Sequence, residues 1–378
     1  MSAFGKAGRW LHVNLFSKPV DIALTLLVIP LMSWAAWSFL EWAIAAADWS
    51  VIINSMKVLM TGLFPSEQMW LVWIAVSLIA GLVGLASAAT MPFGRKALLS
   101  GLASIGIALI AAAWTSRIAP ESAIVVAAFF GVWALGCRSE ALRDNLPGIS
   151  FGVLITVLLV LSPAGPSSWG GLLLSIILTL TAALLTIPLG VLLAFGRQSR
   201  IASLSAFCTA YIEVMRSVPL ILVVYCIWVA FPLILPQFPI PDVVRGLIGF
   251  TLFYSAYSAE FIRSGLQSVA RGQTEAAQSL GLSDFDSKRI VILPQALRVA
   301  VPGLVGNILD IFNYAPLVFI IGLTDFLRAG QMILANPENS ARTYEVYVFL
   351  FLVYFAVGSV ITFQARRLET KLSKGSRK

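Results

Sequence analysis

Charge is scarce in this 378-residue chain: Asp, Glu, Lys and Arg together make up 12% of it, against 59% hydrophobic residues. That balance leaves too little polar surface to cover a soluble domain of this size, and it excludes the water-soluble globular class. Histidine is scarcer still. His12 stands alone, near the N-terminus where a surface position is expected, so neither a His-based metal cage nor a Ser-His-Asp set can be assembled. The three cysteines, Cys137, Cys208 and Cys226, lie in or beside apolar stretches with no CxxC spacing, which indicates neither a metal site nor a disulfide framework. No GxxxxGK[ST] run occurs, so the chain has no loop of the usual kind to cradle ATP phosphates. With no carboxylate pair in a plausible cleft either, an enzyme is not indicated, and any nucleotide is left to another chain.

What is present is length in apolar runs. The mean hydropathy is +0.90, and runs long enough to cross a hydrocarbon core of about 20 helical residues fall near 20–42, 69–90, 97–116 and 121–137, with a shorter one at 148–162. The fold class read from this pattern is all-α, a polytopic membrane helix bundle of about ten spans. Residues 43–68 form a longer connection whose middle is expected to be an amphipathic helix resting on the outer interface. Seven of the eleven tryptophans occur by Trp73, at the ends of the first two runs, as interfacial anchors do. Lys6, Arg9 and Lys18 precede a first run that lacks a small-residue cleavage site, so an uncleaved first helix is expected.

The stretch Ser162-Pro163-Ala164-Gly165-Pro166-Ser167-Ser168 is the clearest punctuation, and it divides an N-terminal extension at 1–167 from a core at 168–366, with a basic tail at 367–378. The first core helix, 170–196, carries Ser175, Thr179, Ala183 and Thr186 on one flank, a small-residue stripe that admits a close neighbour. An interfacial stretch, 201–216, leads through Pro219 into a span at 217–235. A third core helix covers 243–263, Pro302 opens a fourth that ends at Leu323, and 344–363 is the fifth. With ten spans and a cytoplasmic N-terminus, all but five of the 26 Lys and Arg fall on the inner side; the exceptions are Lys57, Arg117, Arg245, Arg328 and Arg342. Basic residues therefore orient the chain rather than bind nucleic acid.

Between the third and fourth core helices runs a polar segment, RGQTEAAQSLGLSDFDSKRIVILP, from Arg271 to Pro294. Thr274 reads as an N-cap with Glu275 in the first turn, Gly281 as the left-handed residue that stops the helix, and Ser283 with Asp286 as the cap of a second helix. Ala276 and Ala277 keep the first helix thin enough to lie in a groove on another protein. The string EAA, three residues, Gly281, nine residues, Val291, one residue and Leu293-Pro294 resembles the EAA loop of ABC importer permeases, with Val291 where the family usually has Ile. YIEVMRSVPL from Tyr211 and YSAEFIRSGLQSVARGQTEAAQSLGL from Tyr257 resemble the polar-amino-acid branch of that family. The long N-terminal extension resembles general L-amino-acid permease subunits.

The resemblance implies a permease subunit of an ATP-driven importer of polar or acidic L-amino acids in a bacterial inner membrane, with both termini cytoplasmic. It implies docking of an ATPase subunit dimer through Glu275, Ala276, Ala277, Gly281, Leu293 and Pro294 in a loop at 264–301. A second homologous permease and a periplasmic amino-acid-binding protein complete the assembly. ATP and Mg are implied on the ATPase, with no cofactor on this chain. Charged residues inside apolar runs cost about 2.5 to 3.5 kcal/mol at mid-helix and are candidates for function. Asp310 is the deepest; Asn307 and Asn313 at three-residue spacings are expected to share its face, with Tyr314 close by, and the set either lines the substrate path or bonds helix to helix. Here the chain reads Asn313-Tyr314-Ala315-Pro316-Leu317 where relatives usually have KDTSL. Glu213 with Arg216, and Glu260 with Arg263, are spaced to pair at the membrane boundary, and the resemblance places the first pair near the gate. The rival reading is a secondary transporter or channel working without an ATPase. It expects related halves, and residues 1–160 and 168–366 show no inverted repeat.

Overall fold

The protein was analysed as a computed structural model, which describes residues 12–94, 97–100, 102–104 and 121–375. The described residues are helical throughout, with no β-strand among them. Helix α1, Pro19–Glu41, is little covered by the other described residues: Val20, Leu26, Trp34 and Trp37 are each at least 65% exposed, an apolar surface suited to contact with lipid or protein. The short helices α2, Ser50–Asn54, and α3, Met56–Thr61, follow. Then come α4, Met69–Thr90; α5, Glu121–Arg138; the short α6, Glu140–Asp144; and α7, Leu146–Leu161. The apolar run at 97–116 lies largely outside the described residues.

Two short 3₁₀ turns, Ser162–Ala164 and Pro166–Ser168, carry the chain into α8, Gly171–Arg197. Its stripe of Ser175, Thr179, Ala183 and Thr186 is buried, and Gly190 approaches Ser258 so closely that an added Cβ would lie 2.7 Å from that side chain. Helix α9, Ala202–Ser217, and α10, Leu220–Ile234, meet at a 113° bend, with Pro219 in the joint. An amphipathic helix lying along the boundary and a spanning helix turning inward from it account for that angle.

Helix α11 is Asp242–Ser268, α12 is Arg271–Ser279, and α13, Asp284–Asp286, passes through a π-helical turn, Ser287–Ile292, into α14, Leu293–Tyr314. A 3₁₀ stretch, Ala315–Ile321, prolongs it. Helix α15, Phe326–Leu334, precedes α16, Thr343–Gly375. Among the described residues seven helices are long and apolar enough to cross a membrane, or eight if the bent pair is one span.

Two expectations are corrected here. Pro302 does not open a helix; it lies inside α14, exposed, and the rod runs unbroken through it because a proline removes one backbone donor and the remaining bonds and packed neighbours carry the helix past. The amphipathic segment after α1 turns its apolar side onto protein, where the sequence led to a helix resting on lipid. Val51, Ile52, Leu59 and Phe64 are buried, and the first three form one cluster with Phe326 and Ile333 of α15 and Val346 and Leu350 of α16. Gly62, at φ +63°, sits against the Gly170 backbone with no room for a side chain. Asp48 meets Arg342 at 3.0 Å, and the Asp48 backbone N–H donates to Glu345, which Arg342 also approaches. Hydrogen bonds from Ser50, with Arg342 adding to them, hold the Asp48 carboxyl below its ordinary range. Asp325, fully buried, caps α15 by accepting from the backbone N–H groups of Leu327 and Arg328, and burial pushes its carboxyl up to about 6.

The extension and the core share one apolar interior. Leu71, Val72 and Ala75 of α4 and Val157 and Leu161 of α7 belong to the cluster built by α8, α10 and α11. Gln364 of α16 donates to Ser87 of α4 at 2.7 Å.

Candidate functional site

The polar segment forms a bent pair of helices, with one departure from the sequence reading. Helix α12 starts at Arg271 with Ala270 at the cap position, four residues before Thr274, so Thr274 lies inside the helix and caps nothing. The sequence Ala270-Arg271-Gly272-Gln273 offers no capping side chain, and Val269 and Ala270 in extended conformation turn the chain out of α11 instead. The stop falls where expected. Gly281 adopts φ +81°, its N–H donates to the Gln278 carbonyl at 2.9 Å, and the Leu282 N–H reaches back to the Ala277 carbonyl at 3.2 Å. This Schellman arrangement needs a left-handed residue at that position. Ser283 then accepts from the Asp286 N–H at 3.1 Å and donates its hydroxyl proton to the Asp286 carboxylate at 2.6 Å.

Exposure divides the residues of this segment. Ala277 is buried against its own protein, whereas Glu275, Ala276, Gly281 and Pro294 are exposed and Leu293 is half-buried. Gln295 donates to Gln273 at 3.2 Å and ties α12 to the start of α14. Because α13, the π turn, α14 and the 3₁₀ stretch are continuous, Asp284 to Ile321 forms one helical rod that enters the membrane directly from the polar segment. Its neighbour is α11. At Gly265 an added Cβ would fall 2.2 Å from the Ala296 carbonyl oxygen, and Asn307 donates to Ser258 at 3.1 Å in a buried contact.

Where the C-terminal parts of α8, α9 and α11 meet lies a network of ion pairs. Glu260 pairs with Arg263 at 2.9 Å, as the spacing predicts, but Glu213 and Arg216 do not pair with each other. Arg197, the last residue of α8, takes Glu213 at 2.9 Å and Glu260 at 2.6 Å, and Arg216 turns to Glu260 at 3.6 Å and over the Tyr257 ring. Two carboxylates thus join three arginines from three helices. Arg197 is the residue the sequence reading missed; its signal was an arginine ending a 27-residue apolar helix, which must find a counter-charge near the boundary.

The polar residues of α14 part company. Asn307 is buried against Ser258, which makes it a helix-to-helix bond, whereas Asp310, Asn313 and Tyr314 are exposed. Three-residue steps rotate each side chain about 60° back around an α-helix, so Asn307 and Asn313 end on different faces. No group of three or more metal-ligating side chains occurs among the described residues.

The family described as binding-protein-dependent transport system inner membrane component matches residues 186–374. This chain belongs to that family. The match begins within α8 and takes in the arginine network, the bent helix pair and the rod. Two relatives extend over nearly all of the permease chain. One is the inner membrane amino-acid ABC transporter permease protein YhdY of Escherichia coli, 31% identical over 98% of this chain and 94% of the relative. The other is the glutamate/glutamine/aspartate/asparagine transport system permease protein BztC of Rhodobacter capsulatus, 29% identical over the same shares. The glutamate/aspartate import permease protein GltK of Escherichia coli is 35% identical but spans 52% of this chain and 88% of its own. A crystal structure of an amino acid ABC transporter with histidines superposes on 53% of this chain and 92% of its own at 29% identity, with a TM-score of 0.48.

Proposed function

We propose that this permease carries polar or acidic L-amino acids inward across a bacterial inner membrane, driven by an ATPase dimer that docks on α12 and α13. The observation that carries this reading is the continuous rod from Asp284 to Ile321: a push on α12, at the exposed Glu275 and Ala276, passes through the tight Gly281 bend to the first turn of the rod, which then runs into the spanning part without a further break. The arginine network then couples α8 and α9 to α11, so the inner ends move as one body. ATP and Mg are bound by the ATPase, and this chain holds no cofactor. A periplasmic amino-acid-binding protein delivers the substrate and a second homologous permease completes the path.

Both termini lie in the cytoplasm, in keeping with the inward bias of Lys and Arg. Residues 168–366 form the transporting core with Glu213, Arg216 and Glu260 at its inner boundary, and 1–167 is an added transmembrane unit; this is supported by a family match confined to residues 186–374 and by relatives that match about half of the chain alongside others that match nearly all of it. Asp310, Asn313 and Tyr314 face the path, and the group that holds the substrate carboxylate is on the partner permease. Purified complex in proteoliposomes tests the scheme: uptake of glutamate or aspartate is expected only with ATP and binding protein. Gly281→Val, which forces a β-branched residue into a left-handed conformation, and Glu275→Lys are each expected to reduce uptake more than tenfold while membrane insertion is unchanged. Uptake without ATP, or normal coupled uptake by both variants, contradicts it.

A further inference from the structure

Between the inner end of α8, the amphipathic α9 and the start of the rod lies a crevice of about 990 Å³, at the upper end of the ~300–1,000 Å³ typical of small-ligand pockets. Its walls are apolar, with Leu189, Leu192 and Leu193 from α8 and Leu204 and Phe207 from α9. Its mouth is charged. Arg200 from the α8–α9 turn and Lys288 and Arg289 from the π turn surround a single carboxylate, Asp284. Lys288 occupies that carboxylate at 2.7 Å, and Arg200 acts on it from farther away. The Arg289 side chain makes neither a hydrogen bond nor an ion pair among the described residues. The crevice therefore combines a hydrocarbon wall with a surplus of positive charge, and both Arg200 and Arg289 are exposed.

The chemistry of the setting selects the occupant. Helix α9 precedes the 113° bend into α10, and Ile201 at its cap with Leu204, Phe207 and Val214 within it are each more than 40% exposed; an amphipathic helix of this kind lies along a membrane boundary, and in the proposed orientation the crevice then opens beside the acyl region of the inner leaflet. A small soluble anion would gain nothing from the leucine and phenylalanine walls, and a zwitterionic lipid would leave the surplus charge uncompensated. We propose that the crevice is a binding site for an anionic phospholipid, with an acyl chain along Leu192, Leu193 and Phe207 and the phosphate between Arg200 and Arg289. The lipid bridges the end of α8 to the first turn of the rod. It is a constituent of the site that the docking reading does not require, and the two stand or fall separately.

The test uses the full complex in nanodiscs that contain a trace of photoreactive phosphatidylglycerol or, in parallel, photoreactive phosphatidylcholine, with labelled peptides mapped by mass spectrometry. Phosphatidylglycerol is expected to label peptides containing Leu189–Arg200 and Phe207 at least tenfold more than phosphatidylcholine does. In the Arg200→Gln/Arg289→Gln variant, that labelling is expected to fall roughly thirtyfold, from about one kcal/mol per basic group near an anionic headgroup. Labelling by phosphatidylcholine should not change, which checks that the variant is folded. Equal labelling by the two lipids, or undiminished phosphatidylglycerol labelling in the double variant, overturns the proposal. So does a crevice that takes no lipid in the complex and cross-links instead to the ATPase, because the occupant is then a protein segment.

Discussion

Glu260 accepts from Arg263 within its own helix, while Arg197 and Arg216 bring charge to it from α8 and α9, so its neighbours are not equivalent. Removing Arg263 takes away an i,i+3 contact inside α11; removing Arg197 severs both α8 to α9 and α8 to α11. The side chains of Arg197 and Glu260 are 24% and 17% exposed. Their pairing thus falls between an exposed one, worth about 0–1 kcal/mol, and a fully buried one, whose breakage costs about 3–5 kcal/mol. Arg197→Ala is expected to destabilise the protein by about 1–2 kcal/mol and Arg263→Ala by less than about 1, measured as thermal unfolding in detergent at matched ionic strength. Equal losses would mean that the inter-helix contacts carry no more than the local one. The Glu260–Arg263 pair was legible in the sequence because three residues of helix fix its geometry. The Arg197–Glu260 pair was not, since 63 residues separate the partners and only the packing of α8 on α11 brings them together. Asn307 shows the same limit: spacing put it with Asp310, and the burial that turns it to Ser258 is a property of the neighbouring helix.

At the scale of elements, long periodic apolar runs and local punctuation were readable, as in α4, α7, α8, the bend at Pro219 and the Gly281 stop. Each is decided within a few residues. The path of residues 48–64 was not readable, because an amphipathic segment looks the same whether lipid or protein covers its apolar side, and here α15 and α16 cover it. That segment clamps the extension to the core through the Asp48–Arg342 contact and the approach of Gly62 to Gly170. A Cβ at Gly62 would lie 2.6 Å from the Gly170 Cα, and its φ of +63° with ψ of −128° is a conformation that side chains avoid. Strain of about 1–3 kcal/mol for such backbone adds to the clash. Gly62→Ala is therefore expected to lower the unfolding midpoint and to open the 48–64 segment to protease in detergent. Gly272→Ala, at an exposed helical position with nothing within 4 Å, should leave the midpoint unchanged or raise it slightly. A Gly62→Ala protein with the native midpoint and protease pattern would show that the clamp yields freely.

The whole molecule leaves one face of its main rod without a partner among the described residues. Along α14 the buried stripe runs through Ala296, Ala300, Leu304, Asn307 and Ile311 against α11, while Val299, Pro302, Gly306, Asp310 and Asn313 recur at the same helical interval on the open side. Gly306 has no atom within 4 Å of where its Cβ would be. A carboxylate on such a face is too costly to leave against lipid, so it looks onto water or onto a partner subunit that supplies donors. If the proposed path runs along this face, a substrate ammonium group gains from Asp310 only while the carboxylate is charged, and the isosteric amide keeps the hydrogen-bonding shape while removing the charge. Asp310→Asn is accordingly expected to lower ATP-driven uptake at least tenfold with the amount of co-purified ATPase unchanged. A loss of co-purified ATPase would instead place the carboxylate in assembly. Unchanged uptake of every amino acid tested would assign Asp310 to packing between subunits, and the substrate path would then follow a different face of the bundle.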